Sequence, residues 1–506
     1  MSIKPSHLQE NRQDSENPRP NLARRFTSTS RRQWVWFILW VVLTVLFSAW
    51  SGSPWVLLLI PILLDIYITK FVPWSFWKRS KNNAFRKTME WVDAILFALI
   101  AVYFINTFFF QNYQIPTSSL EKSLLVGDFL AVSKLSYGPR APITPLSFPL
   151  AQHTMPVVGG KSYIEKPQWK YNRLKGIGEV KRNDIVVFNF PPGDTVALNQ
   201  QGVDFYSLAK YHPDGSAGIR ADKRTYGEVV YRPVDRRENY VKRAIGLPGE
   251  TIELRDDTVF IDGQYLPNPR LSQHNYLIHT DGTQISKDLF SELGINHADY
   301  SPDSFGQSSR SQDLAGVDSL SMALFGLQAR DGNNGRVYYS IPRTSEMVEK
   351  MKARPFVWNI IKEKEQPGLN YYYPLDYAGG WTRDTYGPLW IPERGATITF
   401  DTDVDYKVAA YERCIKNYEG NDFAYRDGKV YINGEMADSY TFKLDYYFMM
   451  GDNRHNSADS RSWGFVPEDH IVGQPILIWL SLEKDRNWFN GKIRWKMLFR
   501  SAKIPA

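Results

Sequence analysis

From Trp34 to Trp50 the chain reads WVWFILWVVLTVLFSAW, a run without a single charge. A Ser51-Gly52-Ser53-Pro54 break follows, and a second run, WVLLLIPILLDIYIT, extends from Trp55 to Thr69 with one acid, Asp65. A third, WVDAILFALIAVYFINTFFF, spans Trp91 to Phe110. A helix needs about 20 apolar residues to cross a bilayer, and about 17 at the lower limit. The first and third runs reach that length, and the second does so if it continues through Phe71–Trp77. All three are apolar on every face, which argues against a buried hairpin of a soluble domain. The first starts too late for a cleavable leader, and no small-residue cleavage pattern follows it. The mean hydropathy of −0.39 hides these segments, because the rest of the chain is polar.

Lysine and arginine orient the spans. The tail 1–32 is polar, expected to be disordered, and carries Lys4, Arg12, Arg19, Arg24, Arg25, Arg31 and Arg32. Residues 70–87 carry Lys70, Lys78, Arg79, Lys81, Arg86 and Lys87, whereas the Ser51–Ser53 turn has none. The expected order is a basic cytoplasmic tail (1–32), a helical hairpin (33–77), a basic cytoplasmic loop (78–90) and a third helix (91–110). Everything after Phe110 then stands on the outer side.

That outer region reads as β-rich. Strand-like runs recur between turn formers: DFLAVSKL at 128–135, DIVVFNF at 184–190, YVKRAIGL at 240–247, TVFIDGQYL at 258–266, KVYINGEM at 429–436 and PILIWLSL at 475–482. Two passages, Arg255–Gln264 and Arg426–Glu435, resemble each other and predict hairpins turning on Asp-Gly or Asn-Gly. Residues 141–180 and 193–235 read as loops. Ser, Asp, Asn, Gly and Gln crowd 280–335, so 265–425 is expected to be an inserted subdomain between two parts of a β domain, 111–264 and 426–485. The last stretch, 486–506, has six basic residues, no acid and four large aromatics, a composition suited to anionic lipid or to a plain basic terminus.

Several chemistries are excluded or unsupported. The net charge of +7 over 506 residues is mild, so no nucleic-acid partner is expected. The single cysteine, Cys414, permits no intrachain disulfide and no cysteine-based zinc or iron–sulfur cluster. No phosphate-binding loop, HExxH helix or GxSxG elbow is present.

Three passages carry possible chemistry. IPTSSLEKSLLVGD (115–128) places Ser119 nine residues beyond Phe110, at most about 30 Å of extended chain from the third span. In YVKRAIGLPG (240–249), strand alternation puts Lys242 on one face with Tyr240 and Ala244, and Arg243 on the other with Val241 and Ile245. A desolvated lysine loses its proton near neutrality and can activate a serine hydroxyl. In GDNRHNSADSRSWGFVP (451–467), Asp459 and Arg461 can pair, and Ser457 can orient a lysine.

Together these passages, with RNDIVVF at 182–188, resemble the bacterial type I signal peptidases, in the order anchor, serine box, lysine box and final Gly-Asp-Asn-Arg box. The resemblance spans about 112–265 and 425–480 and implies a mainly β fold. Transmembrane helices would precede an all-β catalytic domain with a large inserted subdomain. It further implies Ser119 as nucleophile, Lys242 as general base, Ser457 orienting the lysine, and Asp459 with Arg461 as a supporting ion pair. Thr117 and the Ser119 N–H would form the oxyanion hole. Ile115, Pro116, Leu120, Leu124, Tyr240 and Val241 would line substrate pockets.

The implied activity is a serine endopeptidase of the bacterial inner membrane, facing the periplasm. It would cut exported precursors after Ala-x-Ala, with signal peptides, membrane lipid and the protein-export machinery as partners and no metal or organic cofactor. Departures from the family pattern are Ser118 for glycine, Leu120 for methionine, Lys122 for proline, Ser123 for threonine and His455 for aspartate. A silent binding protein of this fold is disfavoured because Ser119, Lys242 and Ser457 are all present. A Ser/Lys autoprotease is disfavoured by the membrane segments.

Overall fold

The computed structural model describes residues 26, 29–156, 159–281, 283, 285, 289, 292, 338–365, 372–374, 380–484 and 486–504. Most of the basic tail and of the polar 280–335 stretch lies outside them. The chain divides into two units, Met1–Val102 and Tyr103–Ala506.

Two helices have the length and apolarity to cross a membrane, α1 (Arg31–Ser51) and α2 (Asn83–Phe108). Ser30 caps α1 in a capping box with Gln33, and Gly52 ends it in the left-handed conformation (φ 64°), where the sequence breaks at Ser-Gly-Ser-Pro. The second apolar run, Pro54–Thr69, is not a regular helix. It winds as a tight 3₁₀ turn, a short α segment and a wide π turn. Asp65 accounts for the ending: its carboxylate accepts from the Thr69 hydroxyl, the Phe71 and Val72 N–H groups and the Trp74 indole, so it caps the turn that stops the helix.

Beyond α2 the chain enters a mainly antiparallel sheet. Its strands in chain order are β1 (Phe110–Gln114), β2 (Asp128–Ser133), β3 (Ile185–Asn189), β4 (Asn239–Gly246), β5 (Tyr446–Met450), β6 (Val466–Pro467) and β7 (Ile471–Ser481). The spatial order is β1-β2-β7-β3-β4-β5-β6, with the short Arg500–Ser501 strand added on β7. The alternating apolar residues of these strands feed two packed clusters on opposite faces. One joins Ile115, Leu120, Leu124, Leu130, Val132, Ile185, Val187 and Ile478. The other joins Val186, Phe188, Ala244, Met449, Trp463 and Val466.

The two similar passages are hairpins, Thr251–Arg255 with Thr258–Ile261, and Phe423–Arg426 with Lys429–Ile432. Both residues at each tip have positive φ, Asp256 and Asp257 in the first, Asp427 and Gly428 in the second. That is the turn whose twist matches paired strands. The loop-like reading of 193–235 needs correction: Phe205–Tyr211, Gly215–Ala221 and Lys223–Tyr226 are short helices. Asp204 and Asp222 cap two of them, a local signal too brief to rise above the surrounding Pro and Gly.

Within 265–425, strand Tyr386–Trp390 pairs with Thr251–Arg255, upstream of the insert. One core cluster likewise runs through Ile252, Tyr386, Leu389, Tyr411, Tyr446 and Phe465. The hydrophobic packing therefore crosses both ends of the expected insert. What stands more apart is the sheet of His274–Thr280, Tyr338–Arg343 and Val357–Lys362, which has its own small core under helix Ser345–Lys352.

Candidate active site

Ser119 sits in a single tight turn, Ser118–Leu120, within the loop joining β1 to β2. The loop closes at its base through Ile115 N–H to Asp128 O (2.9 Å) and Gly127 N–H to Ile115 O (2.9 Å). Leu120 and Leu124 anchor it in the core, 1% and 0% exposed. Ser119 itself is buried.

Lys242 comes from β4, paired on one side through Val186. Its Nζ lies 2.7 Å from Ser119 Oγ and 3.3 Å from Val241 O. The residue is 4% exposed and, among the described residues, its amine has no carboxylate within ion-pair distance. Burial pushes its pKa down to about 8, although the more distant Asp459 and Asp452 charges pull it back up. Tyr240 shares its face, with Nζ 5.6 Å from the ring centre. A neutral amine against a serine hydroxyl in a dry pocket is an arrangement for proton abstraction and nucleophilic attack.

The third element is the segment that follows β5. Pairing ends with Met450 opposite Arg243, and the chain then turns toward Ser119. Asn453 N–H donates to Ser119 O (3.0 Å), and Asn453 Nδ2 donates to Ser118 O (3.3 Å). Gly451 is required by this approach: a Cβ there would meet Ser457 Oγ at 2.3 Å and Ser119 O at 2.7 Å. Asp459 and Arg461 form a buried fork, Nε to Oδ1 2.9 Å and Nη2 to Oδ2 2.8 Å. Burial alone would raise the Asp459 pKa. The Arg461 charge and hydrogen bonds and the Gly451 N–H reverse this and hold it below the usual carboxylate range. Gly451 N–H donates to Asp459 at 3.1 Å, so the ion pair braces the residue lying against Ser119.

Ser119 and Lys242 meet, and Asp459 and Arg461 pair. Ser457 Oγ is buried against Gly451 but makes no hydrogen bond among the described residues, to Lys242 or otherwise. Thr117 is exposed at the start of the Ser119 turn. Of the residues expected to line pockets, Pro116 is exposed and Tyr240 and Val241 are half-buried. Ile115, Leu120 and Leu124 are core, and shape the site from behind.

Two contributors escaped the sequence reading. Asp452 binds Arg243 through both oxygens (2.8 and 2.7 Å) and accepts from the Ser123 hydroxyl at 2.5 Å, tying together all three chain segments of the site. Asn453 is the other. Both lie inside the 451–467 passage, whose density of polar side chains was the available signal.

The profile of the family described as "Signal peptidase, peptidase S26" matches residues 88–343 and 441–480, more than half of the chain and all three segments of the site. The chain belongs to this family. It is 23% identical over 419 residues to a protein named Signal peptidase I from Buchnera aphidicola subsp. Acyrthosiphon pisum, covering 82% of each chain. It is likewise 23% identical to the Signal peptidase I of Haemophilus influenzae, covering 84% of this chain and 79% of that one. Signal peptidase I P of Bacillus subtilis subsp. natto aligns over 228 residues at 24% identity, 43% of this chain and 77% of its own.

Proposed function

We propose that this chain is a membrane-anchored signal peptidase that cuts exported precursors by a Ser119/Lys242 acyl-enzyme mechanism. The observation that carries the reading is the 2.7 Å approach to a buried serine hydroxyl of a buried lysine that has no carboxylate partner among the described residues. With a pKa of about 8, roughly a tenth of Lys242 is neutral at pH 7 and roughly nine-tenths at pH 9. In that form its lone pair takes the Ser119 proton as Oγ attacks the scissile carbonyl. The Ser119 N–H and Thr117 stabilise the oxyanion, one good donor contributing about 3–4 kcal/mol. Lys242 then protonates the leaving amine, and water hydrolyses the ester. Ser457, whose buried hydroxyl is unpaired in the resting site, is the partner we assign to the lysine once it is protonated.

The signal peptide lies extended beside a strand, as in β-addition. The packed side chains of Ile115, Leu120 and Leu124 behind Ser119 leave little depth, which favours small residues before the cut and an Ala-x-Ala preference. With the basic tail and the basic 70–87 loop both cytoplasmic and Pro54–Thr69 crossing as the second arm of a hairpin with α1, the catalytic unit stands on the outer, periplasmic side of the inner membrane. Trp488, Phe489, Trp495 and Phe499 are exposed among Arg486, Lys492, Lys496 and Arg500, a surface suited to a lipid headgroup layer.

The test is cleavage of an Ala-x-Ala precursor in detergent or lipid by the wild type, Ser119→Ala and Lys242→Ala, with sequencing of the new N-terminus. Cutting after the small residue by the wild type alone is expected. Cutting by folded Ser119→Ala would move the nucleophile elsewhere.

A further inference from the structure

On the side of the 451–456 segment away from Ser119 lies a second buried polar group. His455, whose side chain is 0% exposed, directs Nε2 at Asp257 Oδ2 (3.3 Å) and Asp384 Oδ1 (3.2 Å). Its Nδ1 accepts the Asn275 N–H at 3.2 Å. His274 stands edge-on to the same ring, 5.3 Å between centres, with Nε2 3.9 Å from Asp257 Oδ2. Lys362 pairs with that oxygen from the Val357–Lys362 strand, and the Arg383 Nε lies 3.5 Å from Asp384 Oδ1.

Asp257, His274 and His455 bring their ligand atoms within 4.8 Å of one another, which invites a metal reading. The hydrogen bonding argues against it. A ring nitrogen facing a backbone N–H must be the acceptor, so the His455 proton is on Nε2, between the two carboxylates. A cation at Nε2 would need that lone pair and would push the proton onto Nδ1, against the Asn275 N–H. The Lys362 ammonium already supplies the positive charge.

The group therefore works as a fastening. Asp257 is the tip of the first hairpin and holds a left-handed backbone (φ 64°) at the place where the twin hairpin has Gly428 (φ 71°). Its carboxylate is 3% exposed, far from ordinary for a turn. Residues 273–275 run beside the catalytic segment: Gln273 N–H donates to Asp452 O (2.8 Å) and Arg454 N–H to Gln273 O (2.8 Å). Asn456 Nδ2 donates to Asn275 Oδ1 (3.1 Å). Two residues before His455, Asn453 holds the Ser118 and Ser119 carbonyls.

We propose that His455 is a positioning residue for the cleavage reaction. Its Nε2–H, donated to Asp257 beside the Asp384 carboxylate, and its Nδ1, which accepts the Asn275 N–H, fix the Asn453 peptide, so the inserted region sets the placement of Ser119. This rests on the reading of Ser119 as nucleophile.

The test uses the full chain in detergent with an Ala-x-Ala precursor, and measures kcat, KM and thermal unfolding for His455→Leu, His455→Gln and His455→Asn, with Ser119→Ala as control. His455→Leu is expected to lower kcat about 10- to 100-fold with KM within about twofold, since a displacement of about 1 Å at a reacting group costs that much. Gln, whose amide reaches the Nε2 position, is expected to restore kcat to within about fivefold of wild type, and Asn, which is too short, is not.

If His455→Leu does not fold, the Gln and Asn pair decides, compared at equal folded fraction. Equal kcat for Gln and Asn overturns the proposal, as does wild-type kcat in folded His455→Leu or a loss confined to KM. One equivalent of Zn²⁺ bound by wild type, lost in His455→Leu and raising kcat, also overturns it in favour of a metal site. Activity in Ser119→Ala sinks the nucleophile reading itself. A dead Ser119→Ala beside fully active His455 variants sinks only the positioning role.

Discussion

Lys242 and Arg243 are neighbours in β4, point to opposite faces and are both buried, 4% and 0% exposed. Their surroundings differ completely. Arg243 meets both oxygens of Asp452, the carbonyls of Asn183 (2.8 Å) and Ile504 (3.2 Å), and Ser123 Oγ at 3.5 Å. Among the described residues, Lys242 hydrogen-bonds to one hydroxyl and one carbonyl. Burial with a forked carboxylate gives a permanent structural charge, while burial without one drives the proton off. Of two adjacent cations, Arg243 is the tie that holds three segments together, and Lys242 is the buried amine to which we assign the role of base.

The harshest way to break this contrast is Lys242→Arg, which keeps a cation that cannot lose its proton. Loss of about 10²- to 10⁴-fold in kcat is expected, measured on the Ala-x-Ala precursor. Next, Arg243→Met strands the buried Asp452 carboxylate. A destabilisation of about 3–5 kcal/mol is expected by denaturant unfolding, and adding Asp452→Leu should recover most of it. A full-cost Arg243→Met double variant would mean that the pair does more than neutralise itself.

Lys242→Met acts in the opposite sense and stabilises the inactive protein. The folded pKa of about 8 lies below the unfolded value near 10.4, so the unfolded chain binds more protons between them. The native lysine therefore costs most below pH 8, and the cost is relieved as pH rises toward 10.4. Lys242→Met should gain about 3 kcal/mol at pH 7 and less above pH 10. The smallest effect concerns the pH at which Lys242 titrates. Single-turnover cleavage should rise with pH through a limb near 8. Tyr240→Leu removes a ring that favours the ammonium, so this limb should move about half a unit to lower pH. A limb that stays put would mean the ring does not sense the charge.

Much of the fold was legible because it rests on short-range patterns. The apolar runs Trp34–Trp50 and Trp91–Phe110 became most of α1 and α2, and the run DIVVFNF became β3. The Asp-Gly and Asn-Gly dipeptides marked real hairpin tips, since positive φ at both central residues is a local demand. The run Trp55–Thr69 is helical but less regular than its composition suggests: Asp65 uses its carboxylate to end the helix, which hydropathy does not register. The ends of the insert were blurred for the converse reason. Tyr386–Trp390 pairs with Thr251–Arg255 across more than a hundred residues, and no local pattern announces that.

The candidate site divides the same way. The residue types of 115–128, 240–249 and 451–467, and the alternation that parts Lys242 from Arg243, are in the sequence. Which cation meets a carboxylate, that the carboxylate of turn residue Asp257 meets His455, and that Ser457 has no hydrogen-bond partner among the described residues, were decided by tertiary structure. The reason is that charge state depends on burial and on partners. For Lys242 the partner, Ser119, is 123 positions away in the chain, and only folding brings it to 2.7 Å.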